Sequence, residues 1–147
     1  MNGVQSYAVG QTGTLWDPDK MVPLAAITVS APQFTTSDAS GDTPQYGYFA
    51  TFTVTVTDTA PASSGDTISP SDSDYYVLAN GNGYGDGQTN LGNTDKAEGD
   101  NYLGANVATS GLSPGQSTTG TVTVDVPSQH GSLVYAPDGT ALGVWTY

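Results

Sequence analysis

The 147-residue chain contains no cysteine and one histidine, and these two gaps remove several chemistries together. Disulfides, thiolate metal sites and cysteine nucleophiles are excluded, as is any metal centre built from several histidines. His130, in Pro127-Ser128-Gln129-His130-Gly131, would need a serine and an acid from distant loops to form a triad. With no Gly-x-Ser-x-Gly elbow in the chain, it reads as a surface residue between two strands. Basic residues are almost missing too: Lys20 and Lys96 stand against 14 acids, for a net charge of -12. Such a surface repels phosphate backbones and anionic headgroups, which argues against nucleic acid as a partner.

Helix formers are scarce, and Glu98 is the sole glutamate. No apolar run approaches the roughly 20 residues of a membrane helix, so no membrane span is expected. Met1-Asn2-Gly3 lacks the basic and apolar regions of a signal peptide and reads as the start of a mature fragment with an added initiator. The length suits one domain over 1–147, with 1–7 as a linker or loosely ordered start.

What the chain has instead is Thr, Val, Gly and Ser, a strand-and-turn composition that places it in the all-β class. In Tyr48 to Thr59, Phe52, Val54 and Val56 alternate with Thr51, Thr53, Thr55 and Thr57, the period of a half-buried strand. Val122, Val124 and Val126 alternate with Thr121, Thr123 and Asp125 in the same way. These two strands should anchor the core, with Ile27 and Val29 beside them.

Further strands are expected at Gln5 to Val9, Pro23 to Ser30, Tyr75 to Ala79, Ala105 to Thr109, Ser132 to Tyr135 and Ala141 to Thr146, about eight in all. Gly, Pro, Asn and Asp clusters separate them, and Pro137-Asp138-Gly139 reads as a hairpin joining the last two. Short alternating strands without helical periodicity describe an immunoglobulin-like, two-sheet antiparallel β-sandwich. The cysteines of antibody domains are missing, so core hydrophobes must do their work. Trp145 is expected in that core.

Three stretches carry a family resemblance: Ala8-Val9-Gly10-Gln11-Thr12-Gly13, the long strand Tyr48 to Asp58, and Gly111-Leu112-Ser113-Pro114-Gly115-Gln116-Ser117 leading into Gly120 to Pro127. In order and spacing they resemble the DUF4352 group of secreted and lipid-anchored bacterial proteins, which share a sandwich with the mycobacterial secreted antigen MPT63. The ending, Leu133-Val134-Tyr135-Ala136-Pro137 followed by Trp145, is similar too. The resemblance implies an extracellular or surface-tethered accessory or binding domain without catalysis of its own, facing a protein or glycan ligand at the cell envelope.

The dense polar cluster runs from Asn80 through Asn90 to Asp95, Glu98 and Asp100. Oxygen ligands on a glycine-rich loop suit calcium, a hard cation that takes six to eight oxygens, and Asn82, Asp86, Asn90 and Asp95 are the candidate ligands. The EF-hand pattern fails, because counting from Asp86 puts Leu91 and Ala97 at the required Gly and Glu. Asp72-Ser73-Asp74 could add ligands if the fold brings it near. The alternative reading is a flexible surface loop.

Tyr75, Tyr76, Tyr84 and Tyr102 are the candidate residues for the other functional reading, a carbohydrate-binding module in which exposed rings stack on sugars. Paired carboxylates for glycoside hydrolysis would have to face each other across a groove, which one Glu and turn-located Asp residues do not favour. An isopeptide crosslink would need a buried Lys20 or Lys96, and both stand in hydrophilic turns.

Overall fold

The computed structural model describes residues 4–99 and 101–147. Among them are ten strands and one short helix: β1 Gln5–Ala8, β2 Thr12–Trp16, β3 Pro23–Val29, β4 Gln33–Thr35, β5 Tyr48–Asp58, β6 Tyr75–Ala79, β7 Asn82–Tyr84, α1 Thr94–Ala97, β8 Ser117–Val126, β9 Ser132–Tyr135 and β10 Gly143–Thr146. One sheet runs β1-β10-β9-β6-β7. The other runs β2-β3-β5, with β4 also on β5 and β8 on its far side. Every pair is antiparallel except β1 with β10, which is parallel. The all-β sandwich expected from the alternation is what the chain forms.

The alternation in β5 sets the architecture. Phe52, Val54 and Val56 are fully buried, as are Ile27 and Val29 on β3 and Val122, Val124 and Val126 on β8. They meet Tyr75, Val77, Leu133, Tyr135 and Trp145 of the opposing sheet. Each such Val, Ile, Leu or Phe contributes about 1.5–3 kcal/mol by leaving water, which is how a disulfide-free sandwich holds. Trp145 lies wholly inside, stacks on Tyr7 at 5.3 Å and donates its indole N–H to the Gln11 carbonyl at 3.1 Å.

The outward face of the β5 sheet is hydroxylated in register: Thr12, Thr28, Thr55 and Thr119 stand opposite one another across β2, β3, β5 and β8. Neighbouring hydroxyls bond at 2.7 Å for Thr12–Thr28 and 2.9 Å for Thr55–Thr119, the cross-strand pairing that favours Thr on an exposed sheet.

Several expectations need correction. Of the start expected at 1–7, residues 1–3 lie outside the described residues, while Gln5, Ser6 and Tyr7 form β1 within the strand expected at Gln5 to Val9 and pair with Gly143, Val144 and Trp145. Ala105 to Thr109 forms turns rather than a strand, because none of its residues is buried and it has no apolar face to give to a sheet. Three short strands, β2, β4 and β7, bring the count among the described residues to ten. β7 arises because Asn80 and Gly81 both take positive φ, 52° and 80°. That is the type I′ turn which Asn-Gly favours, so β6 folds straight back on itself. The hairpin at Pro137-Asp138-Gly139 forms as read, with Gly139 N–H donating to the Ala136 carbonyl at 3.2 Å.

Candidate functional site

The long polar segment is pinned to the sandwich at one buried carboxylate. Asp125 on β8 is wholly buried and accepts backbone N–H bonds from Gln45 at 2.6 Å, Tyr46 at 2.9 Å and Asn93 at 2.8 Å. Its own N–H donates to the Thr94 hydroxyl at 3.0 Å. This anchors α1 against the outer edge of β8. On the other side, Asp72 N–H donates to the Leu103 carbonyl at 3.0 Å and Leu103 N–H to Thr121 at 2.7 Å. Ser71 caps the 3₁₀ turn 72–74, its side chain accepting from Ser73 N–H while Asp74 accepts from Ser71 N–H at 3.2 Å, a capping box.

Between these anchors three stretches of chain converge. Carboxylate oxygens of Asp72, Asp86 and Glu98 lie within 4.8 Å of one another, and Asp95 acts on both Asp86 and Glu98. Desolvation, then contacts with Asp72, Asp86 and Asp95, push the Glu98 carboxyl up to about 8. Asp86 is raised as well, by desolvation first and then by Asp95 and Asp72. Without a cation the group therefore holds a proton near neutral pH, since close carboxylates cannot all ionise. A divalent ion relieves the same repulsion. Oxygens up to 4.8 Å apart match Ca²⁺, whose bonds of 2.3–2.6 Å span about that distance across the ion.

Of the four calcium ligands expected from the sequence, Asp86 and Asp95 reach this cluster. Asn90 donates its amide to the Gly83 carbonyl at 2.9 Å and Asn82 donates to Asn80 at 3.4 Å, so both close the loop on itself. Asp72 and Glu98 replace them as candidate ligands. Each stood at the margin of an acidic stretch in the sequence, and the fold joins them by bringing Asp72 of the 72–74 turn to Asp86 and Glu98. Asp100 lies outside the described residues.

The tyrosines do not form a sugar platform. Tyr75 and Tyr84 are buried, at 2% and 8% exposure: Tyr75 shares the inward parity of Val77 on β6, and Tyr84 packs edge-on against Tyr46 at 5.1 Å. Tyr76 is half-buried, and only Tyr102 is open to solvent. His130 is exposed, Lys96 closes the exposed end of α1, and Lys20 forms an ion pair with Asp66. Neither lysine is buried as an isopeptide bond would need.

No protein-family model and no curated protein matches the sequence. By structure, the chain is similar to the secreted protein MPT63 from Mycobacterium tuberculosis, with a TM-score of 0.68, 19% identity and full coverage of both chains. The fold is MPT63-like. At that identity the likeness is one of architecture, and the DUF4352 resemblance has no family match behind it. The MPT63-like sandwich includes, among the described residues, no helix long and apolar enough to cross a membrane.

Proposed function

We propose that this chain is a secreted or surface-tethered, non-catalytic accessory domain whose MPT63-like sandwich binds Ca²⁺ through Asp72, Asp86, Asp95 and Glu98. The observation that carries the reading is the meeting of carboxylates from three separate stretches, with oxygens of Asp72, Asp86 and Glu98 within 4.8 Å. Calcium would tie the 72–74 turn, the end of β7 and α1 together and so order the segment that an envelope ligand meets. Extracellular calcium modules work at about 10⁻⁴–10⁻³ M, which fits an ion held by few carboxylates on short loops. The secreted character of a structural neighbour supports the extracytoplasmic setting.

The test is thermal unfolding with millimolar CaCl₂, MgCl₂ or chelator. A rise of several degrees with calcium, reduced in Asp86→Asn/Asp95→Asn, is the expected outcome. Superimposable curves would remove the ion from the reading. The carbohydrate-binding alternative has lost two of its four tyrosines to the core, and a glycan array without hits would end it.

A further inference from the structure

A second acidic site lies across the 72–74 turn from the calcium cluster and is built differently, as a cavity. Its volume is about 240 Å³, and Leu24, Ile68 and Pro137 form an apolar wall. Two aspartates, Asp74 and Asp138, complete the lining with Thr67, Ser69 and Tyr135. Neither lysine of the chain lines it.

Its walls are fixed. The Asp74 carbonyl accepts the Ala136 N–H at 2.8 Å, clamping the turn to the β9–β10 hairpin that carries Asp138. Asp74 is held by the Ser71 cap. Tyr135 packs against Tyr75 with ring centroids 5.2 Å apart, and the wholly buried Tyr75 hydroxyl, within electrostatic reach of Asp74 and Tyr135, has no hydrogen-bond partner.

We propose that this cavity binds a small primary alkylammonium ion, its –NH₃⁺ between Asp74 and Asp138 and its short carbon chain on Leu24, Ile68 and Pro137. Three N–H donors on one head need acceptors on several sides, and carboxylates flanked by hydroxyls supply them. The carbon chain suits the apolar residues of the lining, and a volume below the roughly 300–1,000 Å³ of drug-sized pockets suits a small ligand. A phosphate or carboxylate ligand would meet repulsion from both aspartates.

The experiment is a two-dimensional amide NMR titration of the full chain with n-propylammonium chloride. Neutral n-propanol and potassium chloride at matched ionic strength are the controls. The expected result is saturable shifts confined to residues 67–69, 74 and 135–138 with the amine alone. Asp138→Asn, on an exposed turn, should weaken the response roughly tenfold, in line with losing one charge-assisted bond, and Ser69→Ala less.

Equal shifts with propanol would reduce the site to an apolar dent, and equal shifts with potassium to charge screening. An unchanged affinity in Asp138→Asn, or shifts centred on residues 86, 95 and 98, would overturn the assignment. The last outcome would leave the calcium reading standing.

Discussion

The Asp125 carboxylate accepts the backbone N–H of Asn93 at 2.8 Å from a wholly buried position on β8. It also holds Gln45 and Tyr46, 80 and 79 residues away in the chain. One side chain therefore closes both loops over the end of β5 and β8. Gly92, at φ 60°, passes so close that an added Cβ would lie 2.6 Å from the same carboxylate.

Asp125→Ala strands three backbone donors, and we expect a loss of roughly 3 kcal/mol or more, since a hydrogen bond to a charged group is worth about 1.5–3 kcal/mol. Urea melts check the stability. Amide exchange should show residues 45, 46 and 93 losing protection beyond the global change, and retention of their protection would contradict the pinning role.

Stability should fall as pH rises through the acidic-to-neutral range in calcium-free buffer. Folded Glu98 titrates at about 8 against an ordinary 4.5, and folded Asp74 at about 6 against 3.8. Between each pair of values the folded chain binds more protons than the unfolded one, so each contribution is present at low pH and lost as pH rises. Glu98→Gln should flatten the calcium-free profile between 4.5 and 8. Saturating calcium should do the same, leaving the Asp74 part between 3.8 and 6. Chemical denaturation at a series of pH values measures both.

Gly120→Ala should loosen the segment 102–103 from the edge of β8. A Cβ there would sit 2.6 Å from Leu103 Cα and 2.8 Å from its nitrogen, where only backbone could move. Overpacking of this kind costs about 1–3 kcal/mol. Faster exchange at the Leu103 amide, which donates to Thr121, is the local signature to look for.

Salt should stabilise the fold strongly. With a net charge of -12 and one ion pair, Lys20–Asp66, among the described residues, screening removes much repulsion and little attraction. The melting temperature should climb through the first few tenths molar of KCl, and a fall would show that attractive pairs dominate.

The core was readable because β5 keeps a period of two through residues 51–57 and β8 through residues 121–126, inside strands of eleven and ten residues. That length leaves no competing register. β2 and β4 were missed since a Gly at 13 and a three-residue run give the period nothing to act on, yet pairing with β3 and β5 makes them strands. The Asn80-Gly81 turn was legible in principle, but it was absorbed into a glycine-rich loop.

Of the four carboxylates proposed to bind calcium, Asp86 and Asp95 were visible locally. Asp72 joins through a contact across the chain, which no local pattern encodes. Tyr75 and Tyr84 were misjudged because tyrosine serves interior and surface equally well, and only the facing sheet decides.

The parallel pairing of β1 with β10 has a mechanical consequence. Tension applied from the N-terminal side of β1 and the C-terminal side of β10 pulls the two strands in opposite directions along their shared ladder. The bonds joining residues 5–8 to 143–146 are then loaded together in shear instead of being peeled open in turn. Single-molecule pulling would register that geometry as a high rupture force, and Tyr7 stacked on Trp145 would give way with the ladder.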